Sequence, residues 1–415
     1  MIICVEMTWR WFTHTPGNAA TIETVARAFP GEPVRVLAEA EHLGELRRRL
    51  GATGVAQAEF REIDVPMHLQ GRTHVVSARR FLREFATLRR ALASVPKDEP
   101  VLLVLLSATS TAVFAASLLA RMTRRRLGVH IGMHGNLNEI EGWRSRNPLW
   151  RRFDLRAALS AAHPPALRFL VLEPAIRNEL ARLLPATERR TDVLALPANV
   201  GELANQAEMG LSRPVRFGLI GQATKDKGID AFLDIAKRMT ARHGSAVEFY
   251  LVGAMRPGDD PARFAPLAHP VDHGALDRAS FTDRLARLHY VLLPLDPGYY
   301  RLSASGAVID AVTWLKPMIA TPMPIVADLF ARFGDLGTLC EDHAAMEAAV
   351  EALIVEPDPA RYARQRAALA AARASRTPDR LAADYAALVA RGFPGLLAPE
   401  PSRRNSELAN GAAIS

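Results

Sequence analysis

The stretch from Tyr300 to Ala311, YRLSASGAVIDA, decides the interpretation of the fold. It follows an apolar run, residues 290–296, that is typical of a buried strand. Its small residues, Ser303 to Gly306, precede a segment whose apolar side chains recur at helical spacing. Lys316-Pro317 then ends the helix, and residues 318–320 begin another strand. The stretch predicts a strand, a loop, a helix and a strand, which is the repeating unit of parallel sheets.

The loop of this unit has the features of an anion site. A helix that begins with small residues leaves backbone N–H groups unpaired, and its dipole adds positive potential there. Asp310 comes one turn later, on the helix face that looks back toward the loop. A phosphate on the amides and a diol on the carboxylate would fit this arrangement. The alternative is an ordinary βαβ crossover with a serine N-cap.

Length and composition indicate a globular protein of two domains. The 415 residues exceed one typical domain, and hydrophobic residues make up 49% of them. The two cysteines, Cys4 and Cys340, lie far apart in apolar segments, so we expect neither a disulfide framework nor a cysteine metal site. The N-terminus lacks the basic region and cleavage site of a signal peptide, so we expect a first strand and a cytoplasmic protein.

Residues 101–120 form the longest nearly uncharged run and have the length of a membrane span. Hydroxyl side chains interrupt its centre between Ser107 and Thr111. We therefore expect a buried strand at Val101–Leu106 and a helix at Thr109–Arg126, with the transmembrane segment as the alternative.

Positive charge is concentrated in the N-terminal half. Residues 1–200 hold 28 Lys and Arg against 19 Asp and Glu, whereas residues 201–415 hold 24 against 25. The excess is nearly all arginine and predicts a face that meets an anionic membrane surface or a phosphorylated acceptor. A solvated arginine-rich surface is the alternative. Nucleic acid is not expected as a partner, because no aromatic interleaving or binding motif accompanies the charge.

Strands and helices alternate in two series. The first covers residues 1–197, a polar linker follows at residues 198–214, and the second covers residues 215–391. The tail, residues 399–415, is small and polar, and we expect it to be disordered. The alternation predicts an α/β chain with two parallel sheets, each covered on both faces.

A second motif, FGLIGQATKDKG, spans Phe217 to Gly228. A strand ends at Gly221, a polar loop follows, and Lys227 stands beside the next helix, with Lys225 in the same loop. Glycine lets the backbone approach a ligand, and lysine adds positive charge for a phosphate. The motif differs from a P-loop and from a dinucleotide fingerprint, since neither spacing of glycines is present. Plain surface charge is the alternative role for Lys227.

Together, the two motifs resemble the C-terminal half of GT-B glycosyltransferases, particularly family 4, also called glycosyltransferase group 1. Gly221 matches the family's first glycine, and Lys227-Gly228 matches the Lys-Gly used on the donor diphosphate. Asp310-Ala311 stands where the family has a Glu-Ala that holds the ribose, and residues 316–320 match the closing strand. Two departures occur: Gln222 replaces an arginine, and Leu302 replaces the first glutamate.

The resemblance implies the GT-B architecture, in which two Rossmann-like, doubly wound domains face a central cleft. It implies a nucleotide-sugar donor on the second domain. The donor-binding residues are then Gly221, Gln222, Lys225, Lys227, Tyr300, Arg301, Ser303, Ala304, Ser305, Gly306 and Asp310.

Acceptor residues are expected on the first domain. The loop Trp9–Asn18 has the family's place for an acceptor loop, with Gly17 and Asn18 before a helix. His134 ends a strand where such enzymes carry a histidine facing the transferred sugar, and Asn136 follows it. We therefore predict His134 as catalytic, with a structural role as the alternative. His14 and His273 are weaker candidates.

No metal or cofactor is expected. The His-x3-His spacing of His130 and His134 falls on a predicted strand, which would separate the rings by roughly 13 Å. Neither a Cys-x2-Cys pair nor the Asp-x-Asp of GT-A transferases occurs. A metal-independent reaction follows, with Lys227 and helix N-termini stabilising the leaving diphosphate.

The sequence thus predicts a transferase that moves a hexose from a nucleotide sugar to a saccharide or lipid-linked acceptor in polysaccharide or glycoconjugate synthesis, with the inner membrane face as a peripheral site. A degenerate GT-B protein that binds nucleotide or glycan as a partner subunit is the alternative, because of Gln222 and Leu302. Other GT-B enzymes, such as an epimerase or a phosphorylase, also stay open. The base, the sugar and the stereochemical outcome are not predicted.

Overall fold

The computed structural model describes residues 1–397 apart from residues 12, 52, 54, 56, 66–73, 143, 144, 201–209 and 275. Its N-terminal part contains a seven-stranded parallel sheet in the order β3-β2-β1-β4-β5-β6-β7. The strands are β1 Ile2–Glu6, β2 Val34–Ala38, β3 Glu59–Glu62, β4 Val101–Ser107, β5 Leu127–Gly132, β6 Leu167–Val171 and β7 Thr191–Val193. Strands β1, β2, β4 and β5 are buried along their whole length, as continuous apolar runs in a covered sheet should be.

Helices cover both faces of this sheet. They are α1 Thr15–Ala28, α2 Ala40–Gly51, α3 His74–Ala93, α4 Ser110–Met122, α5 Pro148–Arg151, α6 Leu155–Ser160 and α7 Pro174–Leu183. One hydrophobic core joins the sheet to α3, α4 and α6, and the other joins it to α1 and α2. The run at residues 101–120 is a strand followed by a helix, as predicted. Among the described residues, every helix is too short or too polar to cross a lipid bilayer.

The C-terminal part contains a five-stranded parallel sheet in the order β12-β11-β10-β8-β9. Its strands are β8 Val215–Ile220, β9 Val247–Val252, β10 Tyr290–Leu293, β11 Met318–Ala320 and β12 Gly337–Leu339. The helices are α8 Ile229–His243, α9 Arg278–Arg287, α10 Gly306–Thr313, α11 Pro324–Phe333, α12 His343–Val355, α13 Pro359–Ala374 and α14 Pro378–Gly392. The predicted α/β architecture with two parallel-sheet domains is confirmed.

The acceptor loop is shorter than predicted. Helix α1 begins at Thr15 and carries Pro16 in its first turn, where a missing backbone N–H costs nothing. Gly17 and Asn18 were predicted as loop residues, and the structure places both in the first turn of this helix. The loop therefore ends at His14, which has a left-handed backbone with φ 61°.

The last helix, α14, packs on the N-terminal sheet and not on the sheet that precedes it in the chain. Leu381, Tyr385 and Val389 belong to the core that contains α1. The Tyr385 hydroxyl lies 3.0 Å from Nδ1 of His130 in β5. The second domain was predicted as residues 215–391, so this helix corrects its end. An apolar helix face does not specify which of two sheets covers it.

Two segments connect the sheets, the predicted linker and the residues before α14. They meet beside a buried ion pair between Arg376 and Glu173. Arg376 precedes α14, and its guanidinium contacts both oxygens of Glu173 at 2.6 and 2.9 Å. The main-chain carbonyl of Arg376 also accepts from the N–H of Ala198, at 2.8 Å, in the predicted linker. Residues 201–209 of that linker and the predicted disordered tail, residues 399–415, lie outside the described residues.

Candidate active site

A cleft opens where the carboxyl ends of the two sheets face each other. It encloses about 1140 Å³, counting the part that is open to solvent. The N-terminal domain contributes His14, Gly17, Asn18 and His134 among the lining residues, and the C-terminal domain contributes Ser303, Ala304, Gly306, Ile309 and Asp310. The structure therefore brings together, in one cavity, site residues that were predicted from both halves of the sequence.

Lys227 lies beneath the C-terminal wall of this cleft. It ends a single 3₁₀ turn, Lys225–Lys227, after β8. Among the described residues its ammonium makes one hydrogen bond, a long one of 3.3 Å to the carbonyl of Ile220. Burial lowers the pKa of Lys227, and the carboxylate of Asp310 acts in the opposite direction. A lysine held in this way is a partly desolvated cation whose remaining N–H donors suit an anionic ligand.

Two glycines shape the loop that carries this lysine. A Cβ at Gly221, which has φ +97°, would lie 2.0 Å from Nζ of Lys227. A Cβ at Gly228, with φ +71°, would lie 2.0 Å from the carbonyl oxygen of Pro294. Both positions combine a left-handed backbone with a close approach, and only glycine tolerates that combination. The Gly221 and Lys227-Gly228 pattern in the sequence is thus explained by the packing of the loop.

The start of helix α10 forms part of the C-terminal wall of the cleft. Its N-cap, Ser305, has an extended backbone and makes no side-chain capping hydrogen bond. Gly306 begins the helix and lines the cleft. Asp310 follows one turn later, half-buried, and also lines the cleft. The start of α10 and Asp310 therefore line the cavity with amides and an acid, and Lys227 lies close enough to Asp310 for their charges to interact.

Tyr300 and Arg301, which were predicted to bind the donor, are not among the residues that line the cleft. Tyr300 is buried in the hydrophobic core of the C-terminal domain. Arg301 forms ion pairs with Glu141 and Glu179 of the N-terminal domain, the second with Nε–Oε1 at 3.1 Å. The short helical turn Tyr299–Leu302 is therefore a contact between the domains, and donor binding by Tyr300 and Arg301 stays a prediction.

Gln222 and Lys225 lie outside this cavity. Gln222 lines a neighbouring cavity, together with Gly221, Met255 and His273, at the ends of β8 and β9. Arg278 lines both cavities, so the two are neighbours at this side chain. Lys225 is an exposed residue of the 3₁₀ turn.

Two histidines form the opposite wall. The rings of His14 and His134 meet edge to face with centroids 5.0 Å apart, and Trp9 packs on His14 at 4.4 Å. Burial in the cleft wall lowers the pKa of His134 to about 4. Burial also lowers the pKa of His14 to about 3, with further contributions from the charges of His134, His42 and Lys227. Both imidazoles are therefore neutral at pH 7 and able to accept a proton or a hydrogen bond.

The buried carboxylate of Glu6 holds the start of the loop before α1 in place by hydrogen bonds. Glu6, at the end of β1, accepts hydrogen bonds from the N–H groups of Thr8 and Trp9 at 2.7 and 3.0 Å. The same carboxylate contacts Ser107 at 2.6 Å and the amide of Asn18 at 3.1 Å. Asn18 thus supports the loop from below as well as lining the cleft. Sequence reasoning missed Glu6, because a single acid at the end of a strand carries no pattern.

Asn136 belongs to a second cavity inside the N-terminal domain. Its Nδ2 donates to the carbonyl of Ala108 at 2.6 Å, and its side chain lines the cavity together with Trp9 and Glu84. Gly135 lines both this cavity and the cleft. The predicted acceptor residues are therefore divided between two connected spaces.

His130 and His134 occupy different surroundings, although only His130 lies on the strand where both were predicted. His130 is buried in β5 against Tyr385 and Phe393, whereas His134 follows the strand and lines the cleft. Within the described residues, no group of three His, Cys, Asp or Glu side chains is placed to hold a metal ion.

Comparisons with known proteins identify the fold. No protein-family model matches the sequence, and no curated protein matches it either. A glycosyltransferase from Rickettsia africae superimposes with TM-score 0.65 at 11% identity, over 95% of this chain and 99% of the other. The E. coli trehalose-6-phosphate protein bound with UDP-2-fluoro glucose gives 0.61 at 10% identity, over 96% and 100%. WaaG, a glycosyltransferase involved in lipopolysaccharide biosynthesis, gives 0.54 at 14% identity, over 95% and 100%. The chain therefore has the GT-B fold of glycosyltransferases.

Proposed function

We propose that this protein is a glycosyltransferase that moves a hexose from a nucleotide sugar to an acceptor hydroxyl. The observation that carries the proposal is the placement of Lys227 and Asp310. Lys227 stands in the turn after β8 and Asp310 in helix α10, and their charges interact. Asp310 lines a cleft whose other wall holds His134. A cation for a diphosphate and an acid for a ribose diol are the two groups that a nucleotide-sugar site needs.

The donor diphosphate would lie against the ammonium of Lys227 and the N–H groups at the start of α10. Both develop their strongest interaction as negative charge builds on the leaving nucleotide, which is when stabilisation accelerates the reaction. Lys227 and the helix dipole would thus supply the required positive potential in a metal-independent reaction. Asp310 would accept hydrogen bonds from the ribose hydroxyls and fix the register of the donor.

His134 would face the transferred sugar from the N-terminal domain. Its low pKa, about 4, keeps it neutral, so it can accept a hydrogen bond from a sugar hydroxyl without competing for the diphosphate. The acceptor would approach along Gly17, Asn18 and Asn136. Closure of the cleft by the Tyr299–Leu302 contact would exclude water, which otherwise hydrolyses the donor.

A thermal-shift screen with UDP-, GDP-, ADP- and TDP-sugars tests the proposal, since a ligand that binds the folded state alone raises the melting temperature. At least one donor should stabilise the wild type and fail to stabilise Lys227→Ala. An absence of stabilisation by all four would contradict the proposal.

A catalytically degenerate binder is a second candidate, and the packing of Leu302 favours it. This position carries a glutamate in the family that the sequence resembles, whereas here Leu302 is 2% exposed and packs in the N-terminal core. Release of nucleoside diphosphate during long incubation with donor alone separates the candidates. A transferase hydrolyses its donor slowly, and a pure binder releases no product.

A peripheral position at the inner membrane face belongs to the proposal as well. Helix α3 is rich in arginine, with Arg79, Arg89 and Arg90 exposed, and its Leu82 is 64% exposed. Such a helix suits the surface of an anionic membrane, where a lipid-linked acceptor for polysaccharide synthesis would lie. Flotation with liposomes should recover more protein when anionic lipid is included. Equal recovery with neutral liposomes would contradict this part.

A further inference from the structure

The second cavity of the N-terminal domain lies between α3 and α4, at the carboxyl ends of β1 and β4. It encloses about 940 Å³, counting its open part, and meets the cleft at Gly135. Its polar lining includes Trp9, Asp64, Arg80, Arg83, Glu84 and Asn136. None of these side chains belongs to the proposed donor site. Trp9 packs on His14, which lines the cleft.

Glu84 is the most unusual group in this cavity, because its carboxylate is buried and only half satisfied. The residue is 5% exposed. Its Oε1 accepts a hydrogen bond of 2.7 Å from the hydroxyl of Thr109. Its Oε2 makes no hydrogen bond of good geometry among the described residues, although the hydroxyl of Thr111 is close enough to lower the pKa of the carboxyl. A buried carboxylate oxygen without a donor is unfavourable, so this oxygen is poised to accept from a ligand.

Two further buried polar atoms of the cavity share this property. The indole Nε1 of Trp9 and the Oδ1 of Asn136 have no hydrogen-bond partner among the described residues. Together with Oε2 of Glu84 they present one donor and two acceptors. A ligand that completes all three must both give and receive hydrogen bonds, which is the chemistry of neighbouring hydroxyl groups.

The charges of the cavity disfavour an anion. Arg83 forms an ion pair with Asp64, and Arg80 donates to the hydroxyl of Thr111 at 2.9 Å. Glu84 adds a negative group beside these cations, and its pKa is raised to about 6, mainly by burial. The positive charge is therefore matched within the wall, and an uncharged ligand fits better than a phosphate.

We infer that this cavity binds a neutral pyranose ring, with Glu84 and Asn136 accepting hydrogen bonds from its hydroxyls and Trp9 donating one to a ring substituent. That the ring belongs to the sugar acceptor rests on the proposed function. Gly135 lines both the cavity and the cleft, and a Cβ there would come within 3.1 Å of the indole of Trp9. Trp9 also contacts His14, so the occupied cavity borders the wall where transfer is proposed.

The indole N–H of Trp9 provides a site-specific readout. We would record the ¹H–¹⁵N indole resonances of the full chain without donor and assign Trp9 with Trp9→Phe. The titrants are the methyl α-pyranosides of glucose, galactose, mannose and N-acetylglucosamine, and sodium phosphate as the anion arm. At least one pyranoside should shift the Trp9 resonance saturably below about 50 mM. Glu84→Gln should weaken that binding about tenfold, because it removes a charge-assisted hydrogen bond.

The matched control is Glu41→Gln, the same change at an exposed position of α2, and it should bind as the wild type does. The resonances of the other four of the five tryptophans report whether Glu84→Gln keeps its fold. The inference is overturned if no pyranoside shifts the Trp9 resonance, if phosphate alone shifts it, or if folded Glu84→Gln binds as tightly as the wild type. Donor binding is followed separately by thermal shift, so failure here leaves the proposed function standing, and the reverse holds as well.

Discussion

Two loops at the same edge of the C-terminal sheet differ in what their charged side chains contact. The loop after β8, residues 221–228, keeps the ammonium of Lys227 beside the cleft, where one long hydrogen bond of 3.3 Å holds it. The turn after β10, Tyr299–Leu302, extends to the N-terminal domain, where Arg301 pairs with Glu141 and Glu179. The comparison shows that a polar loop at the ligand edge of a sheet need not be a ligand loop, because a domain contact competes for the same side chains.

Packing explains the difference. Leu302 is buried among apolar residues of the N-terminal core, and the carbonyl of Tyr299 accepts from Asn138 at 2.7 Å. Burying one leucine side chain contributes roughly 1.5–3 kcal/mol. Around Lys227, by contrast, the near neighbours are Gly221 and the carbonyl of Ile220, and the carboxylate of Asp310 favours its charged form. The turn after β10 therefore joins the two domains, whereas the loop after β8 holds a lysine at the edge of the sheet.

Lys227→Ala is expected to have the largest effect on donor affinity. The loss of a charge-assisted contact of about 1.5–3 kcal/mol lowers the affinity tenfold to a hundredfold. Isothermal titration with the nucleotide sugar that stabilises the wild type most measures it. Lys225→Ala is the matched control, because this exposed lysine lies in the same turn, and its affinity should stay within about twofold. An equal loss of donor affinity in both variants would contradict the role assigned to Lys227.

Asp310→Asn should lower the donor affinity less than Lys227→Ala does. The size of the loss should depend on whether the ribose carries both hydroxyls. Removing the charge weakens hydrogen bonds from the ribose hydroxyls by about 1–1.5 kcal/mol, which lowers the affinity for a ribonucleotide about tenfold. The 2′-deoxy analogue already lacks one of those hydroxyls and should lose little. Titrating both nucleotides into wild type and variant gives the ratio. The same loss for both would assign Asp310 to the support of Lys227 instead.

Donor affinity should also fall in alkaline solution. Burial lowers the pKa of Lys227, so its charge is present at neutral pH and is lost as pH rises through a value below that of an ordinary lysine, 10.5. Titration of the donor across that range should show weaker binding at the alkaline end. Lys227→Arg should remove the dependence, since a guanidinium stays protonated. An equally steep decline in the arginine variant would assign the titration to another group.

Arg301→Ala should have the smallest effect on donor affinity, within about twofold, because its ion pairs join the domains and are partly exposed. Its effect should appear as a larger radius of gyration in small-angle scattering of the unliganded protein. Arg332→Ala is the matched control, since that ion pair lies within one helix. A donor affinity reduced as far as in Lys227→Ala would return Arg301 to the donor site.

The sequence predicts most of the fold and about half of the site, and the division has a physical cause. Continuous apolar runs locate the buried strands, and Asp310 and His134, which the family resemblance selected, line one cleft. Local pattern carries no information about partners far along the chain. Arg301 meets Glu141 across 160 residues, and nothing near either residue signals it.

Buried groups were missed for a related reason. Glu84 is the single acid in the sequence of α3, and its burial depends on how α3 meets α4. Helix α14 has an apolar face that suits either sheet, and its packing on α1 follows only from where the chain returns. Such features arise from tertiary packing, which overrides local pattern.

The position of a bound donor diphosphate tests the central claim most directly. Crystals soaked with the nucleotide sugar that raises the melting temperature most should place a phosphate oxygen within about 3 Å of Nζ of Lys227. The ribose should lie on Asp310. A diphosphate bound elsewhere, with Lys227 still turned to the carbonyl of Ile220, would contradict the account.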